Sequence, residues 1–437
     1  MPLRATLPRQ VTVDALASCR RARLPLLQTD FAAYVSGMSK LEADILISGG
    51  GVAGLAAAAA FGTAGFKVII VDPAPPITDE TDQGADLRTT AFLQPAQAFL
   101  DRAGLWAKLE AHAAPLQIMR IVDASGQDSA QLTTADFDAS DVSDKPFGWN
   151  LPNWLLRREM VSRLAELTNV TFLTGVGFAS MVSRTAYALV TLTDGQQIRT
   201  QMVIGADGRA SMVRRSAGID VKTTRYGQKA ITFAVTHDAP HDNISTEVHQ
   251  QGGPFTLVPL PDHKGKPCSA VVWMDTGPQT TKHMALDDAA FAAAATTRSA
   301  LVNGPLTLVS RRSVWPIISQ VTAQMSGPRI ALVAEAAHVM PPIGAQGLNM
   351  SLNDLNALLT LSLKHRDELG GKPMLDAYHK ARHNDVRLRI KGIDALNRAS
   401  MAGNPLIQDL RVAGIKTLYG ATPVRRKLMQ LGLGAQS

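Results

Sequence analysis

Three segments far apart in the chain combine glycines with an acidic side chain, and each suits a different part of one extended dinucleotide. The first is Gly49-Gly-Gly-Val-Ala-Gly54. The second is Gly205-Ala-Asp-Gly208, and the third is Ala334-Glu-Ala-Ala-His338 running on to Gly344-Ala-Gln-Gly-Leu-Asn349. In the first, Gly49, Gly51 and Gly54, with Val52 and Ala53 between them, stand where a strand turns tightly into a helix. The N-terminal amides of such a helix face a pyrophosphate, and side chains there would block it. Asp72 follows Gly49 by 23 residues, the distance at which the end of the second strand offers a carboxylate to the adenosine ribose hydroxyls. A ligand-free tight turn would use the same glycines but leaves the acid unexplained. Three segments of this kind in one chain point to FAD.

Elements that position these residues are legible around them. Ala43 to Ser48 reads as a buried parallel strand, Val52 to Ala64 as an Ala-rich helix closed by Gly65, and Lys67 to Val71 as a second strand, which completes a βαβ unit. A helix is expected over Ala91 to Ala103 and another over Asn153 to Leu167. Residues 116 to 150 turn acidic and glycine-punctuated, as an exposed hairpin excursion would. Alternating runs at Ile231 to Thr236, Phe255 to Leu260 and Ser269 to Met274 predict an antiparallel sheet separate from the parallel one. Beyond Gly347 the pattern is helical, with an amphipathic stretch around Met374 to Met401 and a basic run Arg425-Arg-Lys427.

The second and third segments carry a specific likeness. Gly205-Ala-Asp-Gly208 followed by Ser211, Val213 and Arg214 resembles the DG motif of the group A flavin monooxygenases, the aromatic hydroxylases typified by para-hydroxybenzoate hydroxylase. Arg329 through Asp354 is similar to their GD motif and the helix after it. Within that group the chain resembles the ubiquinone-biosynthesis hydroxylases of the UbiH, UbiF and UbiL kind. The likeness extends to Gly252 through Leu260, Ser269 through Trp273, Tyr378-His-Lys-Ala-Arg382 with Asp385, and Leu410 through Gly414 with Pro423 and Arg425. It covers about residues 42 to 434.

The fold this resemblance implies is mixed α/β: a Rossmann-like FAD-binding domain, an inserted antiparallel-sheet substrate domain and a helical C-terminal region. Residues 38–115, 151–216 and 312–361 are assigned to the first, 116–150 and 217–311 to the second, and the basic 362–437 to the third. The site residues it implies, besides the glycine loop and Asp72, are Asp207 beside the flavin, Arg88 on the pyrophosphate side, and Asn153 near the ribityl chain. To these it adds Glu335 at the ribityl and pyrophosphate region, with Pro342, Gly347, Leu348 and Asn349 at the isoalloxazine edge. Arg88 also reads as a surface arginine before a helix. The usual Gly-Asp is here Ala334-Glu335, and glutamate reaches about 1.5 Å further than aspartate.

The reaction implied takes electrons from NAD(P)H and oxygen from O2, and the cofactor carries the hard chemistry. Little is then asked of side chains, and no Ser/His/Asp or paired-carboxylate constellation stands out. His249 and His338 are the acid/base candidates, each also readable as a structural hydrogen-bonding histidine. The implied substrate is a polyprenylated phenol. Two other readings stay open: the same chemistry on a soluble aromatic acid, and a non-catalytic flavin-fold accessory to other ubiquinone-biosynthesis proteins, motivated by Ala334-Glu335.

Bulk properties bound the rest. At 437 residues and 46% hydrophobic, the chain suits two or three joined domains around a cofactor. Two isolated cysteines, Cys19 and Cys268, give neither a disulfide framework nor a thiolate metal site, and fit a reducing, cytoplasmic setting with no metal. The absence of a CxxC or CxxxxC pair excludes disulfide reductases. The formal net charge of +7 is concentrated at the ends. Residues 362–437 hold 14 basic and 6 acidic side chains, and 38–361 hold 25 and 29. With only 5% aromatic residues and no binding module, nucleic acid is not an expected partner. The basic C-terminal region reads either as a solvated surface or as a peripheral contact with anionic lipid on the cytoplasmic face of a bacterial inner membrane. Residues 45 to 71 are apolar, but glycines and Lys67 break them up, so no spanning helix is expected there. Residues 1–37 resemble a targeting peptide in composition, or precede a start at Met38.

Overall fold

The computed structural model describes residues 41–124, 133–250 and 252–401, together with Pro423, Arg425, Arg426 and Met429. The N-terminal stretch 1–37, Leu410 through Gly414 and Lys427 lie outside the described residues.

A parallel sheet forms because its strands are short apolar runs buried on both faces. Ile45, Leu46 and Ile47 in the strand Leu41–Ser48 are wholly buried, as parallel strands covered by helices must be. That strand pairs in parallel with Val68–Asp72 on one side and Gln197–Gly205 on the other. Val170–Thr174 and Ile330–Leu332 extend the sheet outward. Between the first two strands runs the helix Val52–Thr63, whose Ala56 through Ala60 are all buried. Small side chains let it lie close to the sheet and to the helix Asn153–Ala165. Gly65, at φ +82°, ends the turn after this helix.

The second sheet is built on long alternating strands. Val221–Thr236 pairs antiparallel with Lys266–Thr276, which pairs with Gly253–His263, which pairs with Ile244–Gln250. The excursion read from the sequence at residues 116 to 150 supplies its far edge. Ile118–Asp123 joins Ile244–Gln250 in parallel, and Thr133–Asp138 folds back on it. The strand Ser313–Thr322, grouped with the FAD-binding segments by the sequence boundaries, pairs instead with Val221–Thr236 in this second sheet. Its side chains alternate in exposure over Ser313 to Pro316, and Ile317, Ile318 and Ser319 are then buried together.

One element differs from expectation at its start. Thr89–Leu93 is a strand paired with Gly148–Pro152, and the helix begins only at Gln94 with Pro95 in its first turn. Sheet pairing takes Ala91, Phe92 and Leu93, whereas proline has no amide to lose at the start of a helix.

Two C-terminal helices close the fold, Gln346–Lys364 and Lys372–Met401. The first packs against the glycine-turn helix Val52–Thr63, and the second crosses Gln346–Lys364.

Candidate functional site: a cavity between the two sheets

The three glycines divide the labour of the first turn in a way their surroundings make explicit. Gly49 adopts φ +112°, and a Cβ on it would strike the carbonyl of Ala206. A Cβ on Gly54 would run into the carbonyl of Gly49. Gly51 is different: a Cβ there meets nothing within 4 Å. Its missing side chain therefore keeps open the space ahead of the helix Val52–Thr63. That helix has neither a side-chain cap nor an acid in its first turn, so its leading amides and the positive end of its dipole face this space uncompensated. A pyrophosphate satisfies both.

Gly51, Val52 and Ala53 form one end of a single cavity of about 830 Å³. Arg88, Asn153 and Glu335 line the same cavity, with Pro342, Gly347 and Leu348 beside them. The guanidinium of Arg88 is held by Asp86 at 2.6 Å and lies 5.1 Å from the ring centre of Trp315. Hydrogen bonding to Asp86 holds this arginine's pKa above its ordinary value. Burial pushes the Asp86 carboxyl up, but Arg88, Asn153 and Arg157 outweigh it and hold its pKa below the usual value. Asn153 spans the gap, its Oδ1 accepting from Thr90 at 2.8 Å and its Nδ2 donating to Asp86 at 3.1 Å.

The altered Ala334-Glu335 pair keeps the local backbone that a glycine would give. Ala334 sits in the left-handed region at φ +54°, a conformation that costs a non-glycine residue about 1–2 kcal/mol. Glu335 extends into the cavity, half exposed, and pairs with Arg209 at 3.3 Å. Ala345, also left-handed at φ +54°, turns the chain into the helix Gln346–Lys364.

Three further residues expected at the cofactor make hydrogen bonds within the protein. Asp72 accepts from the amides of Gly50 at 2.5 Å and Ala74 at 2.9 Å, bracing the glycine turn. Asp207 accepts from Ser211 at 2.5 Å and from the amide of Met212 at 2.7 Å, so it caps the short helix Met212–Ser216. Asn349 bridges Leu93, Ala91 and Ala345. None of the three is in the cavity wall. Short polar side chains cap turns and helices as readily as they bind ligands, and sequence does not separate the two uses.

The acid/base candidates also part company. His338 lines the cavity, and its Nε2 lies 2.6 Å from Asp354, which in turn holds Arg382 at 2.9 Å. His249 is not in the wall, but its strand neighbour Glu247 is, and the two side chains meet at 2.9 Å. Glu247 was missed in the sequence. The signal was there, because a strand places residues 245, 247 and 249 on one face.

The far wall of the cavity is the second sheet, including Ile121, Thr232, Thr256, Val258 and Val272. Alternation sends the bulkiest side chains of these strands the other way. Phe255, Leu257 and Trp273 pack beneath the sheet around Phe291 in a separate core. Among the described residues, the arginines in the cavity wall are Arg88, Arg157 and Arg209, all outside this sheet.

Glycine turn, bare helix terminus and a cavity bridging a parallel and an antiparallel sheet define a flavin-binding oxidoreductase. Residues 42–390 match the FAD binding domain family, and the chain belongs to it; it is an FAD-dependent monooxygenase. It is 32% identical to the ubiquinone hydroxylase UbiL of Rhodospirillum rubrum over 92% of this chain and 91% of that protein. It is 24% identical to the 3-demethoxyubiquinol 3-hydroxylase of Escherichia coli, covering 91% of this chain and all of that one. Among solved structures, the p-nitrophenol 4-monooxygenase PnpA of Pseudomonas putida shares the fold with a TM-score of 0.74 at 19% identity, over 92% of this chain and 100% of PnpA. Pseudomonas aeruginosa PqsL in complex with 2-aminobenzoylacetate does so with a TM-score of 0.71 at 22% identity, over 86% of this chain and 100% of PqsL.

Proposed function

We propose that the chain hydroxylates the aromatic ring of a polyprenylated phenol in ubiquinone synthesis, with NAD(P)H as electron donor. The balance is phenol, NAD(P)H, a proton and O2 giving hydroxylated phenol, NAD(P)+ and water. FAD, when bound, supplies the electron transfer and the activation of oxygen. The protein binds it at the Gly51 turn and the wall formed by Arg88, Asn153 and Glu335, and orients the phenol against the second sheet. Enclosure between the sheets excludes water from the reacting centre.

The observation that carries this reading is the single cavity, cofactor-like at the Gly51 end and mainly apolar at the other, with Ile121, Val258, Val272 and Ile317 in its wall. Among the described residues, an aromatic carboxylate would find no arginine where the second sheet lines the cavity and would meet Glu247 there. Ubiquinone synthesis is favoured by the names of the relatives. A purified protein that is yellow, is bleached anaerobically by NADH or NADPH and forms hydroxylated product from a prenylphenol supports the reading. A deletion strain whose quinone profile is unchanged would remove the pathway assignment.

Access for a lipid-borne substrate fits the helix Lys372–Met401. Leu388 is 72% and Leu396 59% exposed, beside the exposed Arg387, Lys391 and Arg398, and Leu396 also lines the cavity. Arg425, from the basic C-terminal run, pairs inwardly with Asp141 at 2.9 Å. Among the described residues no helix is long and apolar enough to cross a membrane. A basic face with leucines suits peripheral contact with anionic lipid, at about 1 kcal/mol per basic residue. Flotation with phosphatidylglycerol vesicles should retain the protein, and Leu388→Glu should release it. Equal flotation with phosphatidylcholine alone would show that charge plays no part.

A further inference from the structure

We infer that Glu247 is the base that takes the proton from the substrate's phenolic hydroxyl, with His249 positioning it; this rests on the phenol-hydroxylase reading above. Glu247 and His249 lie two residues apart in the strand Ile244–Gln250 and so project from the same face of the second sheet. Of the strands Val221–Thr236, Ile244–Gln250, Gly253–His263 and Lys266–Thr276, Glu247 supplies the one ionisable side chain in the cavity wall among the described residues. Its neighbours across the ladder are Thr256 and Ile121, so no cation faces it from either adjoining strand.

Such a carboxylate is costly to keep. Its side chain is only 9% exposed, and among the described residues its side-chain partner is the Nε2 of His249 at 2.9 Å. Burying a charge without a full set of hydrogen bonds opposes folding. Replacing it by a neutral residue of similar shape would relieve that cost, so its presence in an otherwise apolar and hydroxyl-bearing wall points to chemistry.

The histidine carries the second observation. Its Nδ1 is buried with no hydrogen-bond partner among the described residues. The ring thus engages Oε1 of Glu247 through Nε2, while nothing among the described residues engages Nδ1. Across the ladder from His249 stand Asp123 and Pro254. An imidazole placed to serve only the core would have both nitrogens satisfied.

The other Glu247 oxygen meets no donor among the described residues and can accept one. A phenol hydroxyl presented to it loses its proton to the carboxylate while the O–H electron pair stays on the substrate oxygen. The resulting phenolate donates charge into the ring, and an electron-rich ring is what electrophilic oxygen attacks. Positioned proton transfer of this kind contributes about 10²–10⁴-fold to a rate.

The test uses the full chain reconstituted with FAD and 2-prenylphenol as probe, and follows hydroxylated product per NAD(P)H consumed. Glu247→Gln keeps the shape and removes the base. The expected result is a loss of about 10²-fold in product formation at pH 7, with flavin content and anaerobic flavin reduction equal to the parent's. Product should recover as the pH approaches about 10, where the phenol ionises unaided. If Glu247→Gln does not hold flavin, His249→Phe, which removes only the donor to Oε1, carries the same pH rescue. Undiminished product at pH 7, or a loss that high pH does not rescue, overturns the inference and leaves the hydroxylase reading standing. A parent that hydroxylates no prenylphenol although its flavin is reduced overturns both.

Discussion

The Nε2 of His338 lies 2.6 Å from an oxygen of Asp354, and both side chains are almost wholly shut off from solvent. The other Asp354 oxygen holds Arg382, which continues through Asp385 to Arg389 and from there to Gln346 at 3.3 Å. A chain of polar contacts, buried at His338, Asp354 and Arg382 and partly exposed at Asp385 and Arg389, thus ties the cavity-lining His338 to the helix Lys372–Met401 and back to the cavity at Gln346. Next to it, the hydroxyl of Tyr378 donates to the carbonyl of Leu332 in the parallel sheet.

Removing the shared carboxylate should therefore be severe. Asp354→Ala leaves the buried Arg382 guanidinium with Asp385 alone as its carboxylate partner, at a cost of up to about 3–5 kcal/mol. Thermal unfolding should show that loss, together with lower flavin retention, because His338 then has nothing to hold its ring. A change below about 1 kcal/mol would mean that water takes over the carboxylate's role.

Ala334→Gly should stabilise the protein. Relief of the left-handed alanine is worth about 1–2 kcal/mol, against about 0.4–1 kcal/mol for the extra freedom of glycine in the unfolded chain. Chemical denaturation should show a gain of about 0.5–1 kcal/mol with flavin affinity kept. A loss of stability would mean that the alanine methyl makes packing contacts worth more than the strain.

Two neighbouring glycines should fail in different ways. Gly51→Val places its side chain in open space and leaves the fold intact, so the melting curve of the flavin-free protein should match the parent's while FAD binding is lost. Gly54→Ala drives a Cβ into the Gly49 carbonyl and should lower stability whether or not FAD is present. Flavin retention by Gly51→Val would place the pyrophosphate elsewhere.

Asp86 links stability to acid. Its pKa is lowered on folding, so its contribution is fully present above the ordinary carboxylate value and is lost as pH falls through the lower folded value. The stability difference between the parent and Asp86→Asn should therefore be constant near neutrality and shrink below about pH 4. A gap that widens in acid would reverse the sign assigned to this carboxyl.

The places where sequence and structure part are physical, not accidental. The βαβ unit was legible because an apolar run, a glycine turn and an alanine helix are local and agree with one another. Phe255, Leu257 and Trp273 were recognised as strand residues, but the face they occupy depends on which side of the sheet the helix Asp288–Arg298 covers. A one-residue change of parity moves an entire side-chain set from cavity to core. Asp72, Asp207 and Asn349 stand at the expected places in the chain, and each hydrogen-bonds backbone amides or carbonyls, which local sequence does not foretell.

The chain's own order of residues determined the cofactor class, since a phosphate cradle needs missing side chains and a helix start at fixed spacing, and both are written locally. Only the tertiary structure decided which polar groups reach the cavity. Pairing of the strand Ile244–Gln250 with partners more than a hundred residues upstream, at Ile118–Asp123, brings Glu247 into one cavity wall with Gly51 and Glu335. Such long-range register leaves no mark at any single position.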